Sequence, residues 1–266
     1  MGDWRETNRL WWDERTPHHV AGEFYDVEGF RAGRSDLREF EVAELGDVAG
    51  KDLVHLQCHF GLDSMSWARL GAHVTGLDFS QPAVDAANAL ADELQLDAHF
   101  VTSDVYDAPQ ALGRTFDIVY TGIGALCWLP DIPRWAGVVR DLLRPGGVLY
   151  LVETHPMSDV LGDDDLVVRY PYFHTEALAE DSPGSYATTG DPPYSQNITE
   201  TWIHPVSSVM GALLAAGFAI ELFTEHPYTL FGRWPFMTRD DQGRYWLPDD
   251  APTLPLLYSL RARCAS

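Results

Sequence analysis

Leu53-Val54-His55-Leu56-Gln57-Cys58-His59-Phe60-Gly61-Leu62-Asp63 reads as a short buried strand running into a tight turn with a helix behind it. The strand is Leu53 to Gln57, a short apolar run bounded by a turn. Gly61 suits a backbone that must reverse sharply, and Asp63 or Ser64 is able to cap a helix that runs through Ala68 to Leu70 and closes at Gly71.

The same alternation repeats downstream. His73 to Leu77 is a second strand ended by Asp78, and Ser80-Gln81-Pro82 opens a helix to about Leu94 with a cap and a first-turn proline. His99 to Thr102 is a third strand and Phe116 to Tyr120 a fourth. After Pro130-Asp131 a helix runs to Leu143, where Arg144-Pro145-Gly146-Gly147 stops it and turns the chain into a fifth strand, Val148 to Val152. Strands alternating with helices at this spacing imply a parallel sheet with right-handed crossovers and helices on both faces.

Beyond Glu153 the pattern breaks. About fifty residues to Pro205 carry prolines, aromatics and acids without a period, a length that suits a lid better than a connection. A helix from Val206 to Ala216, a strand near Phe218 to Phe223, a second aromatic insert and a closing strand near Leu256 to Arg261 follow. The expected architecture is α/β: a Rossmann-like, doubly wound sheet of seven strands, mostly parallel, with one antiparallel edge strand. Residues 1–50 are expected to form an N-terminal helical cap. Residues 51–266 would form the sheet domain, with lid insertions at about 154–205 and 226–250.

Composition narrows the function. Eighteen basic against forty acidic side chains give a formal charge of −22, which repels a polyanion, so nucleic acid is a poor substrate. Cys58, Cys127 and Cys264 are too scattered for a disulfide framework. No leader or apolar span long enough for a membrane is read, so the expected location is the cytoplasm, as a monomer or homodimer without membrane or nucleic-acid partners.

In such a sheet ligands bind beyond the carboxyl ends of the strands. There, Asp78 is placed to accept both ribose hydroxyls of a nucleoside, Asp104 to take an adenine amine with Val105 against the ring, and Thr121-Gly122-Ile123-Gly124 to offer carbonyls to an ammonium group. Each alone is commonly a cap or turn residue; four in order along the chain are more specific. No metal is expected, because His55 and His59 lack further ligands in a metal-binding pattern.

From Leu53 to Pro156, about 40% of the chain, the sequence resembles a class I S-adenosylmethionine-dependent methyltransferase. The matching stretches are Val54 to Gly61, Val74-Thr75-Gly76-Leu77-Asp78-Phe79-Ser80, Ser103-Asp104, Phe116-Asp117-Ile118-Val119 and Leu142-Leu143-Arg144-Pro145-Gly146-Gly147. The resemblance implies S-adenosylmethionine as cofactor and S-adenosylhomocysteine as product. It implies ribose at Asp78, adenine at Asp104, and the methionine half on Gln57, Cys58, His59 and Gly61. Phe79, Ser80, Val105, Thr121 and Gly122 would add contacts, and Trp12, in a segment similar to the helix that often closes such sites, would cover them. The family usually has an acid where His55 stands and glycines where Gln57 and His59 stand, so the loop is expected to depart from the family's geometry. The His and Gln there resemble an actinobacterial branch acting on small molecules; indole C-methyltransferases that form pyrroloindolines are one similar group.

The implied reaction is methyl transfer to a small aromatic or heterocyclic molecule, with indole-containing secondary metabolites among the candidates. Tyr25, Trp128, Tyr172, Phe173, Trp202 and Trp234 are candidate acceptor contacts, although packing is the commoner role for any one of them. His174 or His155, with Glu153 as electrostatic partner, are candidate bases. Two rivals stand beside this reading: a methyltransferase-like subunit that binds without turnover, and an NAD-dependent oxidoreductase, which would need a complete glycine-rich turn and a further parallel strand.

Overall fold

The computed structural model describes residues 3–174, 176–187 and 194–265. The chain opens with α1 (Trp4–Ala21), α2 (Val27–Arg31) and α3 (Glu39–Leu45). Alternation then begins: β1 (Asp52–Leu56), α4 (Leu62–Arg69), β2 (His73–Asp78), α5 (Gln81–Glu93), β3 (Ala98–Thr102), α6 (Ala108–Leu112), β4 (Phe116–Thr121), α7 (Ile132–Leu142) and β5 (Leu143–Thr154). The inserts hold α8 (Pro156–Asp159), β6 (Leu178–Asp181) and β7 (Ile198–Thr201). After α9 (Val206–Ala215) and β8 (Phe218–His226), the short strands β9 (Tyr228–Thr229), β10 (Thr238–Arg239) and β11 (Tyr245–Trp246) precede β12 (Leu257–Cys264).

Seven strands form the central sheet in the order β3-β2-β1-β4-β5-β12-β8. Neighbours among β1 to β5 are parallel, while β12, seated between β5 and β8, runs antiparallel to both, and β8 forms that edge of the Rossmann-like sheet. Alternate residues face opposite sides. Val54, Leu56, Val119, Leu149 and Leu151 pack under Trp135 and Val139 of α7 and Leu213 of α9, whereas Leu53, Ile118, Tyr120, Tyr150 and Val152 pack on the other face with Trp67 of α4. Burial on both faces is why these strands read as apolar runs.

The Ser80 cap is present, but α4 uses neither Asp63 nor Ser64 as its cap: it starts at Leu62 behind Gly61, whose left-handed φ of +78° sets the turn and which offers no side-chain cap. Ser80 Oγ accepts from the N–H of Ala83 and Asp131 from that of Arg134, each ahead of a proline in the first turn of its helix. One boundary differs. Arg144-Pro145-Gly146-Gly147 does not separate helix from strand; the chain is already extended at Leu143, and the register against β4 shifts between Phe116 and Ile118. Pro145 lacks an N–H for the ladder and Gly146 takes φ +78°, so the ladder tolerates an irregular step there.

The first insert is not one irregular lid. α8, a β6–β7 ribbon and a small apolar cluster of Val160, Leu161, Ile203, Trp234 and Leu256 organise it, while residues 175 and 188–193 lie outside the described residues. Its anchor is Arg15 of α1, fully buried, whose guanidinium donates to the carbonyls of Ser182, Gly184 and Gln196 at 2.8, 3.1 and 2.8 Å. Among the described residues no helix is long and apolar enough to cross a membrane.

Candidate active site

A cavity of about 1630 Å³ opens over the carboxyl ends of β1 to β5, roofed by α1, the 34–41 segment and the loops around Tyr228 and Tyr245. Most small-molecule pockets measure roughly 300–1000 Å³. This one is large enough for two ligands side by side.

The turn after β1 forms its floor. Gln57, His59 and Gly61 have φ of +57°, +51° and +78°, so three alternate residues adopt the left-handed backbone. Where the family usually has glycines, Gln57 and His59 thus hold side chains in a conformation that costs roughly 1–2 kcal/mol each. Only Gly61 tolerates no replacement, since a Cβ there would lie 2.4 Å from the Phe100 ring. The Gln57 amide donates to the carbonyl of Ala125 at 2.9 Å, while its Oε1, buried in the cavity wall, has no partner.

Asp78 lines the cavity at the end of β2. Its Oδ2 accepts from the His59 N–H at 2.8 Å and its Oδ1 from the Ser80 N–H at 2.9 Å, fixing the carboxylate at the floor. Burial lifts it to about 6, against those two bonds. Phe79 lies beside it, and one strand further Ser103, Asp104 and Val105 complete that end. Asp104 accepts from the Tyr106 N–H at 2.8 Å and from Arg5 Nε at 2.9 Å. The Arg5 side chain in this ion pair is 38% exposed.

Helix α1 closes this floor from above. Trp12 lies 5.0 Å from the His59 ring and 5.3 Å from that of Trp128. Ser80 Oγ donates to Asp13 at 2.7 Å, and His19 bridges His59 to Ser185 of the first insert at 3.0 and 2.6 Å. His19 belongs to no local motif in the sequence; only the folded chain brings α1 across the loop.

Of the twelve residues expected around a cofactor, ten line the cavity: Trp12, Gln57, Cys58, His59, Gly61, Asp78, Phe79, Asp104, Val105 and Gly122. Ser80 and Thr121 do not. Ser80 is 1% exposed and serves as helix cap and anchor for Asp13, while Thr121 points into the protein from a fully buried strand end.

The acceptor candidates divide. Tyr25 and Trp128 line the cavity, the Tyr25 hydroxyl lying 2.5 Å from that of Tyr186 at its mouth. The other four lie outside the lining. Trp234 is buried in the insert's own cluster with its indole N–H on the carbonyl of Gly162, Tyr172 packs against that cluster, Trp202 stacks edge-on to Trp4, and Phe173 is exposed.

None of the three expected base residues reaches the cavity either. The Glu153 carboxylate accepts from the N–H groups of Gly124, Ala125, Leu126 and Thr154 at 2.6–2.9 Å, so it shapes the loop after β4. Burial pushes it up to about 7, opposed by those donors. His155 accepts from the Met157 N–H and pairs with Glu225 at 3.1 Å, turned away by the start of α8. His174 is half-buried beside Tyr172 and Phe173, outside the lining.

Asp159 and Asp63, for which the sequence implies no ligand role, line the cavity as well. Asp159 ends α8, just after β5; burial lifts it to about 6, and Ser158 Oγ donates to it at 3.3 Å. Asp63, in the first turn of α4, is hydrogen-bonded to Asp36, and burial raises it well above the carboxylate range. His55, held by Ser64 Oγ at 2.7 Å and pushed by burial down to about 3, presents an unpartnered Nε2 beside it. Asp36 and Asp159 carry no local motif, so only the fold reveals them.

A methyltransferase-domain family model matches residues 54–149. The ubiquinone biosynthesis O-methyltransferase of Aromatoleum aromaticum is 30% identical over 147 residues, which are 54% of this chain and 57% of the relative. That of Coxiella burnetii is 34% identical over 103 residues, 39% of this chain and 43% of the relative. The chain thus matches about half the length of these curated relatives. Among solved structures, an S-adenosylmethionine-dependent methyltransferase from Mesorhizobium loti superposes with a TM-score of 0.56 at 20% identity, covering 88% of this chain and 99% of that one. A putative one from Listeria monocytogenes gives 0.62 at 16%, covering 85% and 96%. These two likenesses concern the fold.

Proposed function

We propose, for a chain that belongs through residues 54–149 to the class I S-adenosylmethionine-dependent methyltransferases, that it moves the cofactor's methyl group to a small organic acceptor held in the same cavity. The single observation that carries this is the succession along one cavity floor of the left-handed Gln57–Gly61 turn, Asp78 and Asp104, with the buried Gln57 Oε1 unpartnered. Bound S-adenosylmethionine supplies an electrophilic methyl on a sulfonium.

The chain's own residues align the reactants and keep water out. Asp78 binds the two ribose hydroxyls, Asp104 the adenine amine, and Val105 and Phe79 pack beside the ring. The aromatic lattice of Trp11, Trp12 and Trp128, with Tyr25 and Tyr186 at the mouth, covers the site.

Ile123, Val152, Tyr228, Leu230 and Phe231 line the same cavity, and such apolar and aromatic walls favour a flat apolar acceptor such as a phenol or an indole. Asp159 is the group we assign as proton acceptor: it lines the cavity, and burial lifts it to about 6. His155, His174 and Glu153 then serve the surrounding structure. The test is incubation of the purified chain with S-adenosylmethionine and a panel of indoles, phenols and amines, followed by mass spectrometry. A methylated product in any class supports the reading, and cofactor binding without a product from any acceptor favours a binding subunit instead.

A further inference from the structure

Five arginines line the cavity of a chain whose formal charge is −22. Three of them already face carboxyl groups: Arg34 pairs with Asp36 at 2.7 Å, Arg233 with Asp163 at 2.8 Å, and the Arg38 charge acts on Glu41 and Asp63. The other two, Arg239 and Arg244, belong to the β10–β11 hairpin. Arg239 stands opposite Tyr245 in the register, 5.8 Å from the centre of its ring, and is exposed; among the described residues it makes no ion pair.

Arg244 is set in place before any ligand arrives. Its Nε donates to Asp240 Oδ2 at 2.8 Å, the Trp246 indole N–H donates to the same oxygen at 2.9 Å, and Asp240 Oδ1 accepts from the N–H groups of Gln242 and Arg244 at 2.9 and 3.0 Å. The guanidinium carbon lies 5.2 Å from the ring centres of both Tyr228 and Trp246. One edge of the fork is thus fixed, while its terminal nitrogens pair with no second carboxyl group among the described residues. A planar guanidinium restrained in this way loses little freedom when it takes a second, bidentate anion.

The hairpin packs away from the nucleoside end. Tyr228, Leu230 and Trp246 join the apolar cluster that holds Ile123, after β4, and Val152, of β5. In the order β3-β2-β1-β4-β5, Val152 is three strands from Asp78, roughly 14 Å at about 4.8 Å per strand. Tyr228, Leu230, Phe231 and Tyr245 line the cavity beside the two arginines, so apolar walls and cationic groups come together there. Asp240 and the exposed Asp241 share the same turn, and their charges favour a monoanion over a phosphate dianion.

We infer that Arg239 and Arg244 hold a carboxylate of the methyl acceptor, whose class is therefore a flat aromatic carboxylic acid with its ring against Tyr228, Leu230 and Phe231. The inference rests on the methyl-transfer reading. Two guanidiniums draw charge from the carboxylate oxygens and make them poor nucleophiles, so the carboxylate anchors the acceptor and the methyl group goes to another of its atoms.

The test is calorimetric titration of the full chain, first with S-adenosylhomocysteine and then, once loaded, with matched acids and amides: indoleacetate against indoleacetamide, and hydroxyphenylacetate against its amide. The expected result is that an acid binds about tenfold or more tightly than its own amide. Arg239→Gln, at an exposed position without an ion pair, and Arg244→Lys, which keeps the charge but not the fork, should each weaken the acid about tenfold while leaving the amide and S-adenosylhomocysteine unchanged. Equal binding of acid and amide in both pairs, binding of none of the four, or variants that weaken acid and amide alike overturns the inference and leaves the methyl-transfer reading intact. Variants that lose affinity for S-adenosylhomocysteine overturn it too, because the arginines would then serve the cofactor. Failure of the wild type to bind S-adenosylhomocysteine removes the reading and the inference with it.

Discussion

His59 Nε2 lies 3.0 Å from His19 Nδ1, so the turn after β1 and helix α1 are joined by one hydrogen held between two neutral imidazoles. Burial, with Arg15 and His18 adding to it, pushes His19 from 6.5 to about 4, and burial and His19 push His59 well below its ordinary value. A group depressed in the folded state stabilises it fully above the ordinary value and loses that contribution as pH falls toward the folded one. The link should therefore weaken between about 6.5 and 4. His19→Phe is expected to raise the dissociation constant for S-adenosylhomocysteine at neutral pH by about tenfold and cost only about 1 kcal/mol of stability, read by calorimetry and thermal melting.

Gly61 tests whether the left-handed turn is obligatory. Gly61→Ala combines a strained φ of +78° with a Cβ 2.4 Å from Phe100. Stability should fall by about 2–4 kcal/mol, visible as a lower denaturant midpoint, and cofactor affinity should fall with it.

Glu153→Gln tests the assignment of that residue to the loop after β4. An amide in place of one carboxylate oxygen sets an N–H against backbone N–H groups of Gly124, Ala125 and Leu126. A loss of about 2–3 kcal/mol in stability is expected. A fully stable Glu153→Gln variant that binds S-adenosylhomocysteine normally but transfers no methyl group would return Glu153 to the chemistry.

Asp159 gives a prediction in pH. A base must be ionised, so kcat/KM for a protic acceptor should rise as pH increases through about 6 and then level. Asp78 is also raised to about 6, so cofactor affinity weakens over the same range as pH falls, and the profile must be measured at saturating cofactor. Asp159→Asn should lower kcat by about 10²–10³-fold and remove the limb; an unchanged profile would exclude Asp159 as base.

These outcomes bear on what a sequence can disclose. The five parallel strands and the caps at Ser80 and Asp131 were legible because each depends on neighbours within a few residues. That the residues after β1, β2 and β3 line one cavity was legible for the same reason, since strand ends in a parallel sheet all face one crevice. The acceptor side was not. Whether Trp234 faces a chamber or packs in the insert's own cluster, and whether Asp36 meets Asp63, depends on segments far apart in sequence crossing in space. His155 and Glu153 stand at the end of the strand that points into the crevice, yet Glu225 and the amides of the β4 loop hold them elsewhere.

The most direct test of the central claim is calorimetric titration of the purified chain with S-adenosylmethionine, S-adenosylhomocysteine and NAD in parallel. Saturable binding of the first two at one site per chain, with no heat from NAD and loss of binding in Asp78→Ala, is the predicted result. Silence from both sulfur nucleosides, or binding left unchanged in Asp78→Ala, would contradict it.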